Sequence, residues 1–543
     1  MGSEVSMVWM VLLACTGKEP IDTDTTVYAD PVLCESEPVD GFARFSLESD
    51  VRGLSEVLPD IRDVLEGDDQ RFGAGLAAGD LDGDGDFDLI AGRFQKPPWV
   101  YINDGTGHFE VSGDILGPVV GTYADMAFGG RGMPMVFSIM DLDGDGVVEV
   151  ISSGFGFLAV YPGLGGGAFG DPELVHNDDQ IVGIYLGFSV GDMDGDADLD
   201  IALISDVAVD MDCDGSGCEH MEWPDYLLEN DGAGGFTKSE QLFSAPGVGS
   251  HALLALFTDR DNDDDMDLFV PKDYLGDNAF WRNDGGEWVD DDAEIGADYT
   301  WSAMGIDAVD LNDDGWLDYC LTDTGPVRCL LSTGTDSYVE GGAALGLMPD
   351  GASEQNETVG WSLIFSDLDN DGFWDATYPA GPMGQQTHTN IEDVPDAMFA
   401  GNPDGTFTDT SAVAGFNDTN DNYGMVQADF DGDGFLEIVL SGPGQPLQYY
   451  DNACNGNHWI ELDFEGAGAN TEGWGAKVTV EAGGRRWMRE LLPLGGPAHS
   501  PPRVHIGLGD IDSVDSVTVT WPDGSSATAS DLPTRRVHTL TAQ

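Results

Sequence analysis

Residues 80–88 read DLDGDGDFD, and the same nine-residue phrase returns six more times. The copies are DLDGDGVVE at 141–149, DMDGDADLD at 192–200, DRDNDDDMD at 259–267, DLNDDGWLD at 310–318, DLDNDGFWD at 367–375 and DFDGDGFLE at 429–437. Positions 1, 3 and 5 are always Asp or Asn, position 9 is always an acid, and Gly stands at position 6 in five copies. A hard divalent cation such as Ca²⁺ takes six to eight oxygen ligands. Side chains at alternate positions of a tight loop converge on one point, and a backbone carbonyl at position 7 fills a gap. The expected ligands are therefore Asp80, Asp82, Asp84, Asp86 and Asp88 in loop 1, and Asp141, Asp143, Asp145, Val147 and Glu149 in loop 2. Loop 3 offers Asp192, Asp194, Asp196, Asp198 and Asp200, and loop 4 Asp259, Asp261, Asp263, Asp265 and Asp267. Loop 5 offers Asp310, Asn312, Asp314, Trp316 and Asp318, and loop 6 Asp367, Asp369, Asp371, Phe373 and Asp375. Loop 7 offers Asp429, Asp431, Asp433, Phe435 and Glu437. Val147, Trp316, Phe373 and Phe435 enter through their carbonyls. Loops 4 and 5 depart most from the pattern, with Asp264 at position 6 and Asn312 at position 3.

An EF-hand needs Glu at position 12 and helices on both sides. Here position 12 is Ala91, Ser152, Leu203, Val270, Leu321, Tyr378 and Leu440, and the flanks (DLIAG, DIALIS, EIVLSG) are short and rich in strand formers. Each loop is thus set between strands. Units such as VYINDGTGHFE (100–110) and LLENDGAGGFTK (227–238) follow several of the loops: an apolar strand, an Asn/Asp-Gly turn and an aromatic restart, the signature of a hairpin. Loop starts lie 51 to 67 residues apart, the right length for a four-stranded blade with an insertion. These repeats resemble the FG-GAP/VCBS class of calcium-loop β-propellers, GFSVGDMDGDADLDIAL (187–203) being a good example. The resemblance implies an all-β fold, a seven-bladed β-propeller holding about seven structural Ca²⁺ ions. The last repeat lacks the Gly-x-aromatic strand, whereas DGFARFSLESD (40–50) supplies one in advance, so residues near 41–46 are expected to complete the seventh blade.

From residue 457 the text changes. NHW (457–459), GWGAKV (473–478), GGRRWMRE (483–490), IGLG (506–509) and WPDG (521–524) are similar, in order, to the ASPIC/UnbV domain found in the cartilage acidic protein 1-like family. Period-2 strands such as KVTVEA (477–482) predict a small β-rich C-terminal domain. The charge divides at the same place. The 543-residue chain has 101 acidic and 20 basic residues, but residues 455–543 hold only 11 acids and 7 bases. The expected domains are 36–454 and 455–543. So acidic a chain excludes nucleic acid, whose binding depends on clustered Lys and Arg. The basic cluster Arg485, Arg486 and Arg489 is the exception; docking onto the acidic propeller face is its expected role, and binding of an anionic ligand the alternative.

At the N-terminus MVWMVLLA (7–14) followed by Cys15 reads as a signal peptide with a lipobox-like cysteine, and 16–35 as a flexible tether. Export would place the protein at a cell surface through a lipid on Cys15, or otherwise secreted. The six remaining cysteines fall into pairs close in sequence, Cys213 with Cys218 and Cys320 with Cys329, and a pair at the ends of the acidic region, Cys34 with Cys454. Disulfides in an oxidising compartment are expected. The sequence carries no HExxH, GxSxG or Walker motif, and GGGAFG (165–170) has no helix behind it. The expected function is a monomeric, extracellular, calcium-dependent module that binds a protein or glycan and is not an enzyme. The alternative is a calcium-dependent lyase or hydrolase, which the scarcity of Lys and Arg before residue 455 disfavours.

Overall fold

The structure is a computed structural model that describes residues 42, 44–58, 75–93, 96–113, 115–119, 134–178, 181–206, 208–210, 225–239, 252–273, 278–349, 359–381, 395–493 and 497–542. Cys15, Cys34, Cys213 and Cys218 lie outside these residues, as do the signal-like segment and the tether. Within them, Cys320 and Cys329 face each other on adjacent strands and form a disulfide. Cys454 is also disulfide-bonded.

The acidic region is built of antiparallel sheets, and each loop joins the first two strands of one of them. Among the described residues there are seven such sheets, six of four strands and the first of five. The second strand always starts at loop position 9: Asp88–Ala91, Glu149–Gly154, Asp200–Ile204, Asp267–Val270, Asp318–Thr322, Asp375–Tyr378 and Glu437–Ser441. Every residue of these strands is buried, because neighbouring sheets cover both faces. That is why they read as unbroken apolar runs rather than alternating ones. The fourth strands, such as Phe236–Lys238 and Glu287–Asp290, lie at the periphery and are largely exposed. Three one-turn helices, Asp292–Ile295, Gly342–Leu345 and Ser411–Ala414, follow fourth strands and were not legible in the sequence.

The arrangement is propeller-like, with the innermost strand of the first sheet (Leu76–Gly79) packed on those of the second (Pro134–Met140) and the last (Gly424–Ala428). Strand Phe45–Leu47 pairs antiparallel with Gln448–Asn452 and supplies the last sheet's fourth strand, as the displaced Gly-x-aromatic unit predicted.

The C-terminal domain packs a three-stranded sheet (His458–Glu465 between Val504–Gly509 and Val537–Thr541) with a four-stranded one. The latter runs Arg485–Glu490, Lys477–Ala482, Ser513–Thr520, Ser526–Pro533. Leu462, Phe464, Val478, Val480, Val517 and Trp521 are buried in its core. One segment leaves the domain: Ala498–His499 pairs in parallel with Leu76 and Ala77, adding a fifth strand to the first sheet's inner edge. His499 is fully enclosed there, its ring 5.3 Å from that of Phe188, and desolvation lowers its pKa to about 3.

Candidate metal centres in the acidic loops

All seven loops share one backbone path. Positions 4 and 6 both have positive φ: Gly83, Gly144, Gly195, Asn262, Asp313, Asn370 and Gly432 at position 4, and Gly85, Gly146, Ala197, Asp264, Gly315, Gly372 and Gly434 at position 6. The left-handed region is open to Gly and tolerated by Asn and Asp, which accounts for every residue here except Ala197. The sequence singled out Gly at position 6, whereas the equal Gly/Asn/Asp restriction at position 4 is recognised only in the structure.

The carboxylates divide the work by position. At position 1 one oxygen accepts the N–H of position 6 in every loop, at 2.6–3.2 Å. At position 5 the side chain accepts the N–H of position 7, at 2.9–3.3 Å. At position 9 one oxygen accepts the N–H of position 2, at 2.8–3.1 Å. In six loops the second position-9 oxygen accepts an N–H from the end of the third strand or just beyond it: Asn103, Gly163, Asn230, Asn283, Ser332 and Gly401. Position 9 is therefore first a clamp on the hairpin. Burial pushes these acids up, to about 8 for Asp88, Asp200, Asp267 and Asp318 and about 7 for Glu149. Asp375 and Glu437, wholly buried, lie well above the usual range.

Position 3 varies between loops: Asp143 and Asp369 each accept the position-5 N–H at 3.2 Å. Asp82, Asp261 and Asp431 each keep a buried Oδ1 with no hydrogen-bond partner, and so does Asp198 at position 7, whose residue is 4% exposed. Carboxyl groups also meet each other directly: Asp82 with Asp84, Asp194 with Asp196, Asp261 with Asp263. In loop 5 Asn312 spends its carbonyl on the Asp314 N–H and its amide on Asp318, so its position 3 is satisfied from within.

The oxygens converge. In loops 1, 2 and 3 the acids of positions 1, 3 and 9 each bring one oxygen within 4.8 Å of the others, and in loops 4 and 6 those of positions 1, 3 and 5 do so. Ligands held at 2.3–2.6 Å cannot be more than about 5 Å apart across one ion. An all-oxygen set with orphaned, mutually repelling carboxylates fits a hard divalent cation.

Four asparagines escaped the sequence reading. Asn103, Asn230, Asn283 and Asn452 each donate both amide hydrogens, one to the position-8 carbonyl of their own loop and one to the position-2 carbonyl of the preceding sheet's loop. Asn103 does this between the first and last loops, reaching Phe430 at 2.8 Å. Three of the four are the Asn of the ND-G strings read simply as turns.

The C-terminal domain lies against this loop face. Thr471 Oγ1 donates to Asp141 at 2.6 Å, and the Asp141 N–H donates to Glu472. Ala469 and Asn470 donate to the Ala197 carbonyl in loop 3. At loop 4 Lys477 Nζ reaches Asp259 at 2.7 Å and Asn262 at 2.6 Å, while Glu490 accepts the Asp259 N–H. At loop 6 Gly509 N–H donates to the Asn370 carbonyl at 2.7 Å, Trp487 Nε1 donates to the Gly372 carbonyl at 2.9 Å, and His505 Nε2 lies 2.6 Å from Asn370 Oδ1. Of the basic cluster, Arg489 pairs with buried Asp307 and Arg485 donates to the Gly372 carbonyl. The cluster thus docks within its own chain.

Residues 466–543 match the ASPIC and UnbV family model. The C-terminal domain is an ASPIC/UnbV domain. The chain is also homologous to cartilage acidic protein 1. It is 27% identical to the Xenopus tropicalis protein over 287 residues, 47% of this chain and 39% of that one. It is 35% identical to the human protein over 115 residues, 19% of this chain and 16% of that one. The chain therefore spans well under half the length of these relatives. Among solved structures, an Agrocybe aegerita lectin recognising non-reducing terminal N-acetylglucosamine overlaps 71% of this chain and 81% of its own, at 16% identity and a TM-score of 0.31. The exotype rhamnogalacturonan lyase YesX overlaps 74% and 91%, at 12% identity and a TM-score of 0.33. Overlaps this loose carry no functional argument.

Proposed function

We propose that the acidic loops hold divalent cations, Ca²⁺ by their all-oxygen donor set, and that the protein is an exported, calcium-stabilised binding module for a protein or glycan outside the cell. The carrying observation is the orphaned position-3 oxygen of loops 1, 4 and 7: a buried carboxylate without a donor is costly, and a cation shared with positions 1 and 5 removes that cost. About seven ions would be structural, since each loop ties the first two strands of its own sheet. The Cys320–Cys329 disulfide supports an oxidising compartment. Lipidation at Cys15 would add a membrane anchor. Elemental analysis of protein dialysed against micromolar Ca²⁺ tests the metal reading: several ions per chain are expected, and fewer than one defeats it. A glycan array and an extracellular-protein array, run with Ca²⁺ and with EDTA, test the binding role. Cation-dependent capture is expected, and polysaccharide cleavage in the same samples would replace the module by an enzyme.

A further inference from the structure

Loop 6 differs from loop 1 in its surroundings. In loop 1 Gly83 and Asp84 are exposed, and Asp80 and Asp82 are half-buried. In loop 6 Asp367, Asp369 and Asn370 are 3%, 8% and 0% exposed, and the covering groups come from the ASPIC/UnbV domain. A Cβ at Gly507 would stand 1.9 Å from Asp367 Oδ2, so the domain's strand Val504–Gly509 runs directly over the first ligand. The contacts that hold it there go to backbone carbonyls of the loop itself, those of Asn370 and Gly372. These atoms occupy the positive-φ positions 4 and 6 and stand where they do only while the loop keeps its tight turn.

We infer that loop 6 is an interdomain cation site, in which metal occupancy and the docking of the ASPIC/UnbV domain are thermodynamically linked. This rests on the cation reading of the loops given above. Without metal, the mutually repelling Asp367, Asp369 and Asp371 open the turn and move the carbonyls that Trp487 and Gly509 bind. By linkage, whatever docking gains from the metal, metal binding gains from docking. The strand above the loop also bars the ion's exit, so release at loop 6 waits on undocking, whereas loop 1 exchanges freely.

The test uses the full chain and two readouts. Hydrogen exchange is followed with Ca²⁺ and after chelation: strands Arg485–Glu490 and Val504–Gly509 are expected to lose protection, while Ser513–Thr520, central in the domain's own sheet, keeps it. In parallel, the double variant W487F/R485A removes the donors to the Gly372 carbonyl without touching a ligand. It should weaken the slowest-exchanging ion by about 5- to 150-fold, the usual range of such coupling, and speed its release to a chelator. Retained protection of Ser513–Thr520 in the variant certifies that the domain is folded. Ions bound in the expected number, with interface protection indifferent to chelation or with unaltered slow release in the variant, overturn the linkage while leaving the cation sites standing. A chain that binds no ion defeats the reading beneath it.

Discussion

Two carboxylates of loop 1, Asp88 at position 9 and Asp82 at position 3, provide opposite expectations for one substitution. Asp88 is fully buried, with Oδ2 accepting the Leu81 N–H at 2.9 Å and Oδ1 the Asn103 N–H at 2.8 Å. Replacing it by Ala strands two buried donors, each worth about 1–3 kcal/mol, so Asp88→Ala should cost about 2–6 kcal/mol whether or not metal is present. Asp82 accepts nothing at Oδ1 and faces Asp84. Two charges about 4 Å apart near a surface repel by about 1–4 kcal/mol, and the half-exposed position favours the lower end. Asp82→Ala should therefore be neutral or stabilising by up to about 1 kcal/mol in EDTA, and destabilising only when Ca²⁺ is present. Urea unfolding of both variants and the parent chain, in Ca²⁺ and in EDTA, separates the cases through their midpoints. Were Asp88→Ala harmless in EDTA, or Asp82→Ala equally damaging with and without metal, the division of labour between clamp and ligand would be wrong.

Further expectations follow from the same geometry. Asp88, Asp200, Asp267 and Asp318 sit near 8 when folded against 3.8 ordinarily. Between about pH 4 and 8 the metal-free folded state thus holds protons that the unfolded chain has lost, and its stability should fall as pH rises through that window. Calorimetry of the chelated protein should show a melting temperature that declines from pH 5 to pH 8, and Ca²⁺ addition at pH 7 should release protons. Replacing both Cys320 and Cys329 by Ser removes a bridge over 9 residues and should cost about 2–3 kcal/mol by loop closure, read as a lower urea midpoint. Gly434→Ala would drive a Cβ to about 2 Å from the Trp459 ring and strain a φ of +86°. It should displace the ASPIC/UnbV domain, seen as faster proteolysis near residue 455.

Much of this architecture could be read in advance because the loops are local. Nine consecutive residues carry the spacing of the acids and the turn between strands, and hydrophobic runs on their C-terminal side announce the buried second strand. Even the strand displaced to residues 45–47 was recoverable, since one repeat lacked what the N-terminus had to spare. What stayed hidden depends on distant partners. Nothing near Asn230 says that its amide reaches back to Leu142, and nothing near Asp200 says that its second oxygen will be claimed by the Asn230 N–H. The clamp role of position 9 and the ligand role proposed for position 3 are in most loops written with the same letter, and only hydrogen-bond geometry separates them. Likewise PAHS (497–500) has no strand pattern, and it becomes one solely because the edge at Leu76 awaits a neighbour.

That neighbour arrives late. Strand Phe45–Leu47 leaves the ribosome well before its hydrogen-bonding mate at Gln448–Asn452, which follows some 400 residues behind. At about 5–20 residues per second the wait is roughly 20–80 s, and the Ala498–His499 strand comes later still. The last sheet can thus be completed only after Gln448–Asn452 has been made. Closure of the last sheet is then timed by a single event, the meeting of two strands made far apart in time.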